Sequence, residues 1–181
     1  MAQYEKLKKH LSYLFLNTAP ESGAGSECWS RVGKSTEWTD TMNAKTATYD
    51  YIEDSAPTDE LETYKPTTSM PLTAYIGDPV YEFVFDLYQK QGTGSQAVTQ
   101  ALRVYQNKAS AGTAGGTGPA GANKAQLTQV LITIENFAFA TGIITFLISQ
   151  RGTPVIGSAV VAESTDISGN RIWTPVFTAG S

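Results

Sequence analysis

Hydrophobic and polar positions recur along this chain with two different periods. From Val80 onward the apolar residues Val80, Phe83, Val84, Leu87 and Tyr88 follow helical spacing up to Gly92. Asp78 stands where an N-cap belongs, Pro79 occupies the first helical position and Glu82 reinforces the first turn. The pattern predicts a helix over 78–91 with one apolar face laid on a sheet. Elsewhere the period is two, or the apolar runs are short. Ala97, Thr99, Ala101, Arg103 and Tyr105 alternate with Val98, Gln100, Leu102 and Val104, as a half-buried strand requires. Further strands are predicted at 11–17, 28–32, 36–42, 67–77, 124–139, 141–150, 154–163 and 171–177. Pro71 implies an edge or a bulge within 67–77, and Arg151-Gly152-Thr153 reads as a hairpin turn joining 141–150 to 154–163. Short strands, turn signals and one helix describe a mainly β fold: a two-layer β-sandwich or barrel with a helix on its flank.

Three stretches interrupt this pattern. Residues 18–27, with Pro20, Gly23 and Gly25, form a loop by composition. Residues 108–123 are an Ala/Gly/Thr tract without a core-forming side chain, which predicts a flexible excursion. Residues 43–66 are too long for an ordinary connection. That segment contains Tyr49, Tyr51, Ile52, Leu61 and Tyr64 among its acids, so it reads either as a docking loop with aromatic anchors or as disorder.

Charge sharpens the picture. The chain has 181 residues, 13 Lys and Arg against 17 Asp and Glu, and a formal net charge of -4. Six of the acids, Asp50, Glu53, Asp54, Asp59, Glu60 and Glu62, fall between positions 50 and 62 with no base among them. From Gly92 to the end charge is sparse, which suggests a surface covered by partners. Net acidity without a long basic tract argues against electrostatic grip on nucleic acid. One cysteine, Cys28, excludes an internal disulfide framework and Cys-based zinc sites, and one histidine, His10, leaves too few members for a histidine metal centre or an ordinary triad. No run reaches the length of a membrane-spanning helix, and the first residues lack the apolar core of a signal peptide.

Candidate chemistry is weak. The acidic run does not match the ligand spacing of a calcium loop, and nothing in one sequence makes two of its carboxylates converge. Gly33-Lys34-Ser35 lacks both the leading glycine and the strand-to-helix context of a phosphate-binding loop, and the glycines of 112–118 open no helix. Trp29, Trp38 and Trp173 read as core or interface side chains, because base stacking comes with a basic groove. Cys28 reads as a buried thiol. No catalytic residue, metal ligand or cofactor is assigned, and an assembly subunit is the class that fits what is left: sheets with edges to pair, a charge-poor second half and an acidic aromatic segment.

The order Trp29, Gly33-Lys34-Ser35-Thr36, Trp38, then Asp50-Tyr51-Ile52-Glu53-Asp54, then Tyr64-Lys65-Pro66-Thr67, then Tyr75 through Phe83 (YIGDPVYEF) resembles the major tail, or tail tube, proteins of long-tailed bacteriophages, particularly those of Gram-positive hosts. The resemblance extends from about Cys28 to Val161 and includes Gly152-Thr153-Pro154-Val155 and Gly157. It implies a single tail-tube domain over 1–181, six copies closing into a ring, and rings stacking into a hollow tube through which DNA passes without specific binding. It implies an N-terminal arm at 1–27, a flexible tract at 108–123 and a C-terminal arm at 164–181. The segment 43–66 becomes a long extended loop docking on a neighbour through Tyr49, Asp50, Tyr51, Ile52, Glu53, Asp54, Leu61 and Tyr64. Val80, Phe83, Val84, Leu87 and Tyr88 become the packing face of the flanking helix. Val130, Ile132, Ile134, Phe137, Ile144, Phe146 and Ile148 lie on the strands expected to join neighbouring subunits. Implied partners are further copies of the chain, a tape measure protein, and tail terminator and baseplate proteins, in a virion tail assembled in the host cytoplasm, with no membrane. The Ala/Gly tract departs from the family by its length. Two other readings stay open: the tube subunit of a contractile tail, tailocin or secretion apparatus, and a monomeric carbohydrate-binding sandwich using its tryptophans.

Overall fold

Ten strands and one helix account for most of the chain in a computed structural model that describes residues 12–20, 27–53, 55–105, 123–165, 167 and 171–180. The strands are β1 (Tyr13–Asn17), β2 (Trp29–Arg31), β3 (Thr39–Thr41), β4 (Ala44–Tyr49), β5 (Thr58–Tyr64), β6 (Thr67–Thr73), β7 (Val98–Val104), β8 (Asn123–Ala138), β9 (Ile143–Thr165) and β10 (Arg171–Ala179); the helix α1 spans Pro79–Lys90. Eight strands form one antiparallel sheet in the order β2-β1-β7-β8-β9-β6-β3, with β10 added to β9, while β4 and β5 pair separately. The architecture is the mainly β sandwich with a flanking helix that the sequence predicts, and the sheet does not close into a barrel. The Ala/Gly tract, apart from Asn123, and most of the N-terminal arm lie outside the described residues. The C-terminal arm contributes β10, which pairs residue for residue with β9 from Arg171↔Thr165 to Ala179↔Gly157.

One expectation is corrected here. The strands expected at 141–150 and 154–163 are not separated by a turn: from Ile143 onward both lie within one 23-residue strand, β9. Leu127 of β8 faces Val155 and Gln129 faces Arg151, so Gly152, Thr153 and Pro154 bulge out opposite Thr128. Gly152 takes a left-handed conformation, φ 67°, which suits glycine, and Pro154 sits where no ladder donor is needed. Local turn chemistry is overruled because both flanks find partners on the same long neighbour. The bend matters because a straight strand of this length would run about 75 Å. Bent, its first part pairs with β6 and its last part with β10.

Curling separates two apolar layers. On one face Leu14, Leu16, Met70, Leu72, Val130, Ile132, Ile144, Phe146 and Ile148 pack under Val80, Tyr81, Val84 and Leu87 of α1. On the other, Tyr13, Phe15, Leu102, Val104, Ala125 and Ala159 are covered by Trp173 and Phe177 of β10. Both faces of β1 are therefore buried. The connection between β2 and β3 helps to draw the edges together: Val32 N–H donates to Leu14 C=O at 2.8 Å, and Thr73 N–H donates to Lys34 C=O at 3.0 Å. At the seam between β2 and β10 the Arg31 guanidinium lies 4.3 Å from the Tyr13 ring centre and 4.7 Å from that of Trp173. Burial lowers the Arg31 pKa from its ordinary value, against the raising influence of Tyr13 and Glu163.

The helix forms as its sequence dictates. Asp78 Oδ1 accepts from the N–H groups of Val80 and Tyr81 at 2.9 and 3.1 Å, and Glu82 accepts from Gly77 N–H at 3.1 Å. At the other end Gln91 turns left-handed, φ 48°, and the Gly92 N–H returns to Leu87 C=O at 3.1 Å.

Close approach of β10 to β9 depends on a side chain that is missing. A Cβ on Gly157 would stand 2.2 Å from the Thr178 carbonyl oxygen and 2.9 Å from the Phe177 ring. Gly157→Ala is expected to destabilise the protein by about 1–3 kcal/mol, seen as a lower Tm in thermal circular dichroism. Gly33→Ala, whose Cβ would meet its nearest neighbour at 4.0 Å, leaves Tm unchanged.

Candidate functional site

The segment 43–66 is not a loop without strands. It is a β-ribbon, β4 paired antiparallel with β5 from Ala44↔Tyr64 to Tyr49↔Thr58, with an irregularity between Lys45 and Thr46. Cross-strand polar pairs hold it. Thr48 donates to Asp59 at 2.6 Å, the Tyr49 hydroxyl donates to Glu62 at 3.2 Å, and Lys45 forms an ion pair with Glu62. Tyr49 at the end of β4 and Tyr51 just beyond it stack with ring centres 5.6 Å apart. All of β5 is exposed, and of β4 only Ala47 and Tyr49 are half-buried.

An isolated two-stranded ribbon is marginal in water, since it has no third layer on which to bury a face. This one nevertheless exposes Tyr51, Leu61 and Tyr64 by about half, and Ile52 fully. Asp50 and Glu53 flank them at the exposed tip, and Asp54 lies outside the described residues. The ribbon's root is better tied. Asn43, left-handed at φ 46°, donates from Nδ2 to the Lys65 carbonyl and the Thr67 hydroxyl, both at 3.0 Å. Lys65 N–H returns to the Met42 carbonyl at 3.1 Å.

Of the helix residues, Val80, Val84 and Leu87 are buried and Phe83 packs partly buried against the same core. Tyr88 is turned outward, its ring edge-on to Phe137 and Phe139 at 5.8 and 6.4 Å. Tyr81 takes the fourth buried place, and Phe85 bridges Tyr81 to Tyr88. The residues named on the strands expected to join neighbouring subunits lie in or against the chain's own core. Val130, Ile132, Ile144, Phe146 and Ile148 are no more than 3% exposed, and Ile134 and Phe137 pack partly buried against them. They turn toward α1 and fill the chain's own core.

The opposite face of the same strands is open where β10 does not reach. Register puts Gln100 beside Gln129, Val98 beside Leu131, Leu131 beside Ser149, and Thr133 beside Leu147 on that face, all half-buried or exposed. Its side chains are neutral and mixed, with Arg151 opposite Gln129 as the nearby charge. A second uncovered surface is the outer side of the β9–β10 hairpin, where Ile156, Val160, Ile172 and Val176 are 43–62% exposed. The sequence carried that signal, because Ile172 and Val176 alternate with Trp173 and Phe177 and only one pair can face inward. Cys28 is exposed, contrary to the buried thiol expected, whereas Trp29, Trp38 and Trp173 are half-buried against the two cores. Among the described residues no group of three His, Cys, Asp or Glu side chains could hold a metal ion, and no helix is long and apolar enough to cross a membrane.

No protein-family model matches the chain, and no curated protein matches it in sequence. Its fold has solved counterparts. A protein of the tail of an empty GTA particle, determined by helical refinement with C6 symmetry, superposes with a TM-score of 0.50 at 10% identity, covering 82% of this chain and 97% of that one. A protein of the six-fold symmetrised anti-feeding prophage baseplate gives a TM-score of 0.45 at 7% identity over 85% and 97% of the two chains. The first likeness shows a shared fold over most of both chains.

Because the ribbon's apolar side chains contact no core, replacing Tyr51 and Ile52 by Ser is expected to leave the stability of the unassembled chain within about 0.5 kcal/mol. Phe146→Ala, which empties a fully buried site, is expected to cost about 3–5 kcal/mol. Chemical denaturation of the two variants beside the unaltered protein checks both.

Proposed function

We propose that this chain is a structural, non-catalytic subunit of a phage tail tube, assembling into stacked rings, six copies to a ring, around a channel that conducts DNA into the host. The observation that carries the reading is the ribbon: an acidic two-stranded projection with exposed Tyr51, Ile52, Leu61 and Tyr64, which gains the missing third layer only by docking on another subunit. The fold shared with a tail protein from a C6-symmetric assembly supports it. So does the open, nearly uncharged sheet face, which suits either contact between copies or the wall of a conduit.

Physics constrains the channel. Contacts between phosphates and Lys or Arg supply most non-specific affinity for DNA, so a conduit lined with them would hold its cargo. The neutral face around Gln100, Gln129, Thr133 and Ser149 has the character such a wall requires. In this reading the subunit's partners are other copies, a tape measure protein threading the tube, and terminator and baseplate proteins at its ends, in a virion tail assembled in the host cytoplasm. Packing of Trp29, Trp38 and Trp173 against the two cores favours a structural role for them over a sugar platform.

Negative-stain electron microscopy of the purified protein at high concentration is expected to show hollow tubes or stacked rings; a species that stays monomeric at every concentration refutes the assignment. Tyr51→Ala with Ile52→Ala, or Asp50→Lys with Glu53→Lys, is expected to abolish stacking while the melting curve of the subunit stays in place. A map of the tube is expected to show a lumen lined by neutral and acidic side chains, and a wall dominated by Lys and Arg would overturn the conduit reading.

A further inference from the structure

The ribbon leaves the body through β3, three exposed residues on the edge of the sheet, and the middle one is tied to the deepest charge among the described residues. Arg103 on β7 is 3% exposed. Its Nη2 donates to the Thr68 hydroxyl on β6 at 2.9 Å, and that hydroxyl donates to the Asp40 carboxylate on β3. The carboxylate itself stands 3.9 Å from Nη2. Thr68 and Asp40 face one another in the β3–β6 pair, so one hydroxyl joins two strands to a guanidinium from a third. In the sheet order β8 and β9 lie between β7 and β6, so Arg103 spans the interior of the curled sheet to make this contact.

The energetics favour a strong preference for one arrangement. A guanidinium cannot shed its proton, and a buried charge without a partner is among the costliest defects a fold can carry. Here Nη1 is enclosed and has no hydrogen-bond partner among the described residues, where the nearby carboxylate is the compensation. Asp40, with 35% of its side chain exposed, could turn to solvent only by abandoning Arg103. Three residues on, Asn43 passes the position of β3 to the ribbon through its bonds to Lys65 and Thr67. Since among the described residues β4 and β5 pair only with each other, this root is what defines the ribbon's direction.

We propose that Asp40 and Arg103 form a latch that fixes the angle at which the ribbon leaves the body, with Asp40 a positioning residue for the ribbon and not itself a contact with another copy. That the angle matters for docking rests on the tube reading; the latch itself does not.

Two nitroxide labels on the full unassembled chain test it, one near the ribbon tip (Thr58→Cys) and one on α1 (Gln89→Cys), in a Cys28→Ser background. Pulsed electron paramagnetic resonance is expected to give one narrow distance peak with Asp40 and with Asp40→Glu, which keeps the carboxylate. Asp40→Ala and Asp40→Asn are expected to lose that peak while the Asn variant still melts cooperatively, an outcome that a general loss of stability would not produce. An equally narrow peak in the Ala and Asn variants overturns the latch, as does a broad distribution in the unaltered protein. If the unaltered protein forms no tubes, the tube reading falls, and the distances still decide the latch.

Discussion

The bend in β9 is the constraint on which the other parts depend. β8 occupies one edge of this strand from Ile143 to Ala159, and β6 and β10 share the other edge in turn. Three partners on one strand are possible only because Gly152, Thr153 and Pro154 break its line. Below the bulge the strand contributes Ile144, Phe146 and Ile148 to the core under α1, and above it Ala159 and Val161 to the core under Trp173 and Phe177. A single long strand thus supplies both layers of the sandwich, and the sheet must curl to bury them.

Curling also decides which surfaces are left over. The helix saturates one face of the sheet, and β10 covers only one end of the other. The remainder of that second face is neutral and semi-apolar, an unusual surface for a chain with no partner. The charge withheld from it is concentrated instead on the ribbon, which contributes nothing to either core. Body and projection are joined at a short root, where Asn43 and the Asp40–Thr68–Arg103 contacts tie an exposed element to the buried sheet.

The sequence reading succeeded where the determinants were local. Asp78, Pro79 and the Val80–Leu87 stripe act within four residues of one another, so α1 was legible from cap to cap. It failed where partners are distant. The acids of 58–62 have low strand propensity, and they form β5 because β4 lies opposite them in an antiparallel hairpin. Arg151-Gly152-Thr153 has the chemistry of a turn, and a bulge uses the same chemistry when both flanks already have a partner. Arg103 looked like one more polar position in an alternating strand, and nothing near it in sequence announced Thr68 or Asp40.

The sequence by itself determined that this is a mainly β chain with one flanking helix, that its charge is segregated, and that its acidic segment carries aromatic and aliphatic side chains among the acids. These are statements about composition and short-range periodicity, which need no knowledge of what packs on what. Only the tertiary structure decided which face of each strand is core. Period two shows that a strand has two faces without saying which of them a distant helix will cover. For that reason Val130, Ile132 and Phe146 belong to the interior of this chain, and the open surface of the sheet lies on the other side of the same strands.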